Sequence, residues 1–383
     1  MKFRSFFLFF LSVTISFHTS LHALEITDRL NISGFGTVGF STNNRDDILY
    51  DAYEGSSTVE KGEFNFQTNT IFGLQGKVNI TDSLSFTAQG VSQDHEKDNW
   101  DTNLQWAYLQ YDTALDLILR VGKFRLPIFQ TTELAYVGYA RTSANPILPF
   151  YGVSGFEFME GVQALYREDF DNYALTFRLN YGRGDDALPK PNDPRVSAIE
   201  VETDDIVIAS LKFEKEDFWL NAAYTQLSAD IDTYIIDRVD VDTRYTKAKV
   251  YSVEYNYDYE KFNFMGGYAA SFSTQLPDEY MFYHSIAYRI GDFKPYILYS
   301  TKYFRNLPPL KTIRPDIKPP RVDESKTRDK RWAIGCRYDF HQGFALKYQF
   351  ERIDNNFSPP NVLNTSGDNG TNHVHTLVLD WMF

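Results

Sequence analysis

A single cysteine, Cys336, is all that 383 residues provide, so no intramolecular disulfide can form, and one thiol argues against a cysteine-based metal site. Positive charge is also in short supply. Lys and Arg number 38 against 51 Asp and Glu, and the net charge of −13 argues against a nucleic-acid partner. Beyond residue 23 no stretch approaches 18 uninterrupted apolar residues, which excludes a membrane-spanning helix. Histidine is scarce: past residue 23 there are only His95, His284, His341, His373 and His375. None has the spacing to Ser, Cys or carboxylate partners that a nucleophilic or metal-assisted enzyme needs. No catalytic, metal-binding or cofactor-binding residue is therefore expected, and the chain reads as a non-enzyme. What it holds in excess is aromatic: 26 Tyr and 32 Phe lift the aromatic share to 16%.

Those aromatics follow a period of two. Tyr173, Leu175, Phe177, Leu179 and Tyr181 share one face of an extended segment, and Ala174, Thr176, Arg178, Asn180 and Gly182 share the other. Tyr251, Val253, Tyr255 and Tyr257 oppose Ser252, Glu254, Asn256 and Asp258 in the same way. The last residues repeat the pattern, with Leu377, Leu379, Trp381 and Phe383 opposing Thr376, Val378, Asp380 and Met382. One face fully apolar and the other polar suits a strand between lipid and water, with tyrosines at the interfaces. A mean hydropathy of −0.39 is compatible, since every second residue then meets water.

Sixteen such segments are expected, near 30–41, 67–80, 84–93, 104–112, 117–125, 161–168, 173–182, 205–214, 218–228, 248–258, 262–273, 280–289, 293–303, 330–339, 344–353 and 374–383. Their connections alternate between tight polar turns and long loops. Seven turns and eight loops put both ends of the barrel on the periplasmic side. The fold class expected is all-β: a transmembrane antiparallel barrel of sixteen strands, with the last strand pairing with the first and Phe383 at the periplasmic rim. Sixteen strands leave an aqueous lumen, whereas eight would be filled by side chains. Residues 1–23, with Lys2 and Arg4 before an apolar run and Ala23 as the small residue, read as a cleaved secretory leader, and residues 24–383 as the single barrel domain.

The strand count, the leader and the terminal Phe resemble the general-porin superfamily of Gram-negative outer membranes. Two local motifs carry the resemblance further. Arg120-Val121-Gly122-Lys123-Phe124-Arg125-Leu126-Pro127 is similar to the strand feeding the third loop in many porins, and Tyr288-Arg289-Ile290-Gly291 with Pro295-Tyr296 is similar to a porin hairpin. The resemblance implies an outer-membrane, water-filled channel for passive diffusion of ions and small hydrophilic solutes. It also implies a homotrimer, contacts with lipid and lipopolysaccharide, and recognition of Phe383 by the barrel-assembly machinery. A surface adhesin or receptor barrel, or a channel selective for anions or sugars, remains open.

The loop at 126–160 is apolar for its position, with Ile128, Phe129, Tyr136, Ile147 and Phe150 among its residues. Such a loop needs to be buried. In the family it folds inward and narrows the pore; packing over the mouth or at a subunit interface is the other outcome. Its charges are Glu133, Arg141, Glu157 and Glu160. By alternation, the wall cations facing them are Arg178, Arg289, Lys294, Arg337 and Lys347, with Arg120 on a strand of ambiguous register. Inward acids also occur (Glu254, Asp258, Asp339, Glu351 and Asp380), so ion preference stays open. Acids concentrate in the fourth loop (Asp185, Asp186, Glu200, Glu202, Asp204, Asp205) and in the fifth (Asp230, Asp232, Asp237, Asp240, Asp242). The seventh loop is basic, from Arg305 to Arg328. Either pattern serves solubility. Divalent ions shared with lipopolysaccharide are the sharper reading.

Overall fold

A computed structural model describes residues 24–45, 50, 52–53, 59–95, 99–151, 158–188, 196–235, 241–306, 328–356 and 370–383. The segment read as a leader lies outside the described residues. Seventeen strands are described: β1 (Leu24–Thr27), β2 (Leu30–Asn43), β3 (Ile71–Asn79), β4 (Leu84–His95), β5 (Asn99–Asp112), β6 (Leu117–Arg125), β7 (Phe158–Asp169), β8 (Ala174–Leu188), β9 (Val196–Lys215), β10 (Phe218–Ile235), β11 (Val241–Tyr259), β12 (Phe262–Ser273), β13 (Asp278–Tyr288), β14 (Phe293–Arg305), β15 (Arg328–His341), β16 (Phe344–Asn356) and β17 (Gly370–Met382).

Each strand from β2 onward pairs antiparallel with the next, and β17 returns to β2 in the register Val374↔Asn43 to Met382↔Phe35. That closes a sixteen-stranded barrel and removes every long free edge. Phe383 completes the seam, its N–H donating to Gly34 O at 2.9 Å and its carbonyl accepting from Gly34 N at 3.0 Å. Below that point the short β1 pairs with β2, from Leu24↔Ile32 to Thr27↔Leu30, and occupies the edge that β17 leaves.

The burial pattern is inside-out, as the alternation requires. Phe177, Leu179, Tyr251, Val253, Trp332 and Ile334 lie exposed on the outer surface, whereas their neighbours Asn180, Ser252, Glu254 and Ala333 are buried inside. No helix among the described residues is long and apolar enough to cross a membrane; the strands make the crossing. Five of the seven tight turns contain a residue of positive φ, at Asp116, Glu216, Glu260, Gly291 and Gly343, which reverses the chain within a few residues.

The wall is uneven in height. β3 and β6 have 9 residues each, about the 9–11 that a tilted transmembrane strand needs. β9, β10 and β11 have 20, 18 and 19, and so rise well past the apolar band on the long-loop side. This corrects the expectation that the acidic residues of the fourth and fifth regions lie in loops. Asp185 and Asp186 are on β8, Glu200, Glu202, Asp204 and Asp205 on β9, Asp230 and Asp232 on β10, and Asp242 on β11. The acids alternate with Val201 and Thr203, which are buried on the strand's inner face. A bulge opposite Gln226 and Ser228, with Asp205 at φ 51°, resets the register there. Asp237, Asp240 and residues 307–327 of the basic loop lie outside the described residues.

Candidate functional site

Residues 126–151, between β6 and β7, run inside the barrel against its inner wall. Both roots of the segment are apolar and form a core with the wall. Leu126, Ile128, Phe129, Ile147 and Phe150 are buried with Met159, Ile206, Ile208, Val250, Met281 and Leu298 of β7, β9, β11, β13 and β14. The Phe150 ring lies 4.5 Å from that of Tyr283 and 4.7 Å from that of Phe129. Gly267 makes the room: a Cβ there would meet the Phe150 ring at 2.6 Å. An apolar loop enters the lumen because only the core it forms with inward aliphatic residues removes its own apolar area from water.

Polar contacts then fix its path. Glu254 on β11 is fully buried, accepting from Gln130 N–H at 2.6 Å and from the Tyr151 hydroxyl at 2.9 Å. Ser252 Oγ donates to Ile128 O at 3.0 Å. Farther round, the Lys347 ammonium of β16 donates to the carbonyls of Gly138 and Arg141, both at 2.7 Å, and of Ser143 at 3.3 Å. It also pairs with Asp380 of β17 at 2.8 Å, and neither side chain reaches water. Arg337 of β15 donates to Tyr139 O at 2.7 Å and Arg141 O at 2.9 Å, and pairs with Asp339 at 2.7 Å. Gly138 is needed for the approach, since a Cβ would lie 1.9 Å from Asp380 Oδ1. Asn145 donates to Tyr50 Oη at 2.7 Å and to Thr376 Oγ1 at 2.9 Å, tying the segment to the first long loop and to β17.

The expected site residues thus separate into groups. Glu133 of the loop pairs with Arg178 of β8 at 3.2 Å. Arg120 faces inward and is half-buried, its guanidinium 4.9 Å from the Tyr108 ring centroid. Lys294 faces inward opposite Arg337, with Nζ 3.5 Å from Asn263 Oδ1. Arg289 lies at the β13–β14 turn and is exposed. Three expectations need correcting. Lys347 is not a luminal charge but a buried anchor. Arg141 is engaged by loops, donating to Ala135 O of its own loop at 2.7 Å and to the Tyr53 hydroxyl of the first long loop. Glu160 is the third residue of β7 and shares the outward face of exposed Val162, while Met159 and Gln163 point in. Glu157 lies outside the described residues.

Sequence reasoning passed over the uncharged amides. Gln110, Gln163 and Asn180 sit at inward positions next to the arginines, and only their parity on the strands marked them out. Among the described residues no group of three His, Cys, Asp or Glu is placed to hold a metal ion.

Comparison with known proteins places this architecture. The family model for Gram-negative porins matches residues 15–358. No curated protein matches the chain in sequence. Solved structures match in fold. Salmonella typhi OmpF, in complex with daunomycin, aligns with a TM-score of 0.58 at 14% identity, over 92% of this chain and 97% of that one. An anion-selective porin from Comamonas acidovorans gives 0.58 at 8% identity, over 92% and 99%. OmpT of Vibrio cholerae in its trimer form gives 0.55 at 11% identity, over 93% and 100%. With the barrel closed and the family model covering most of its length, the chain belongs to the Gram-negative porins, outer-membrane channels for passive diffusion.

Proposed function

We propose that the lumen passes ions and small hydrophilic solutes down their gradients, and that residues 126–151 form the constriction that sets their size. The observation that carries this is the double anchoring of residues 126–151 on inward-facing side chains, through Glu254 on one side and through Lys347 and Arg337 on the other. A loop held at both places narrows the lumen, and its Glu133 reaches Arg178 on β8. The working unit is a homotrimer, a reading supported by the trimer form of the similar Vibrio cholerae protein. Residues 1–23 act as the export leader, Phe383 is the residue read during barrel assembly, and lipopolysaccharide meets the outer rim. No catalysis is assigned.

Reconstitution into planar bilayers tests the reading. Discrete open-channel steps in groups of three are expected, together with swelling of liposomes in small sugars but not in large oligosaccharides. A folded, heat-modifiable barrel that gives no conductance at any voltage would instead favour a surface adhesin or receptor.

A further inference from the structure

Most rings inside the barrel are already covered. The Tyr108 ring has the Arg120 guanidinium 4.9 Å from its centroid and the Phe124 ring at 5.4 Å. Arg125 lies 4.4 Å from the centroid of Tyr136, Arg337 4.6 Å from that of Tyr139, and Lys212 Nζ 5.5 Å from that of Trp219. Trp106 of β5 differs: it is half-buried, and no ring or cation among the described residues lies against it. A bulge turns it into the lumen. Leu104 is exposed on the outer surface, and Trp106, two residues on, would follow it outward. Instead Gln89 of β4 pairs with Trp106 and Gly90 with Leu104, so Gln105 is an extra residue and the alternation is reset. Trp106 Nε1 then donates to Gln75 Oε1 of β3 at 3.1 Å, and the same oxygen accepts from Gln89 Nε2 at 3.4 Å. An indole N–H can only donate, so it fixes which end of the Gln75 amide turns toward it. The one polar atom of the indole is satisfied and its ring angle is held from two neighbouring strands. The Gln75 oxygen serves both bonds, and among the described residues nothing takes the Nε2 hydrogens of Gln75.

Resting on the channel reading above, we infer that Trp106 and Gln75 form a subsite for the pyranose ring of an uncharged sugar. A pyranose has a face of C–H groups and an edge of hydroxyls. The indole face, otherwise left against water, takes the first, and the Gln75 N–H groups donate to the second. Both side chains are neutral, so the contact does not depend on the charge of the solute. One ring and one amide hold a sugar weakly enough to release it onward, as a diffusion channel requires.

Swelling of liposomes that carry the full chain tests this, with glucose compared against sorbitol. Sorbitol is close to glucose in size and hydroxyl number but has no ring. The quantity read is the glucose-to-sorbitol ratio of swelling rates, because a lumen that is merely wider raises both rates together. The parent protein is expected to pass glucose faster. Trp106→Ala is expected to lower the ratio roughly fivefold, the size of losing one ring contact. Trp106→Phe, which keeps a ring but not the N–H that orients it, is expected to hold part of the preference. Gln75→Leu leaves the indole in place and removes the amide donors; it is expected to lower the ratio as well, and it keeps the inference testable should Trp106→Ala fail to fold. Equal rates for the two solutes in the parent protein, or a ratio that neither Trp106→Ala nor Gln75→Leu moves, overturns the inference and leaves the porin reading standing. Absence of both swelling and conductance in the parent protein overturns both.

Discussion

Two stretches of the barrel wall carry inward cations, and they use them differently. On β15 and β16, Arg337 and Lys347 turn their N–H groups toward loop carbonyls and toward Asp339 and Asp380. On β6, Arg120 meets only amide oxygens and an aromatic ring among its described contacts. The residue types and the alternation are the same on both stretches. What differs is whether the loop's backbone comes within reach. Where it does, the cation becomes part of the scaffold and its charge is absorbed. Where it does not, neutral side chains hold the cation and the charge stays available to solutes. A luminal charge is thus defined by its partners and not by the direction it points.

The largest expected effect comes from breaking the scaffold side. Lys347→Met leaves Asp380 buried without its cation and strips a donor from three loop carbonyls. Removing one partner of a buried ion pair costs about 3–5 kcal/mol. The variant is expected to unfold at clearly lower temperature on heat-modifiability gels, and to open to a larger, noisier single-channel conductance as the loop leaves the wall. The double variant Lys347→Met with Asp380→Asn sharpens the point. It relieves the uncompensated carboxylate and so recovers part of the stability, yet the carbonyls of Gly138, Arg141 and Ser143 stay without their donor. Recovery of stability together with parental conductance would show that the loop is not held from β16 at all.

Glu254→Gln tests the other anchor and is expected to do less. The two carboxylate oxygens accept separately, Oε2 from Gln130 N–H and Oε1 from the Tyr151 hydroxyl. A glutamine offers one acceptor and turns its amide N–H groups toward the other partner. If Tyr151 reverses its hydroxyl the loss is one charged hydrogen bond, ~1.5–3 kcal/mol. The apolar packing of Phe129 and Phe150 still holds that root of the loop. Channel noise is expected to rise while mean conductance changes little. A conductance as large as that of Lys347→Met would show that the apolar core contributes nothing to the loop's position.

Much of this was legible in the sequence, and the reasons for the gaps are specific. Strand number, the seam and the two faces follow from a period of two that lipid and water enforce, so Tyr173 to Gly182 reads correctly without coordinates. The tops of β9 to β11 do not, because Glu200, Glu202 and Asp204 look like loop until their alternation with Ile199, Val201 and Thr203 is weighed above their charge. Glu160 was misread for a related reason: the loop ends sooner than its composition suggests, and once β7 begins at Phe158 parity sends Glu160 outward. The fate of Lys347 was beyond reach. Its neighbours on the strand say only that it points inward; it is held by Asp380 on the next strand and by loop carbonyls some 200 residues away in sequence. The family resemblance implies only that loop acids face wall cations, and which acid meets which cation, Glu133 with Arg178, is seen in the structure alone.

The smallest expected effect lies outside the wall. Glu202 of β9 stands directly across from Asp230 of β10, and like charges at facing positions of an antiparallel pair are unfavourable. Glu202→Gln is therefore expected to stabilise the tall hairpin slightly, by ~0.2–1 kcal/mol, read as a small rise in the heat-unfolding midpoint. Glu202 is exposed, and the inner face of that hairpin is closed by Val201, Leu227 and Ile231, so the field of the lost charge passes mainly through salt water. Screening over a Debye length of about 8 Å at physiological ionic strength then leaves little of it at the lumen. The chloride-to-potassium permeability ratio, read from reversal potentials in a potassium chloride gradient, is expected to move far less than with Arg120→Gln, even though each variant removes one unit of charge. A shift of equal size would mean that selectivity is set by the acidic rim and the net charge, and the distinction drawn between the two stretches of inner wall would no longer matter for ions.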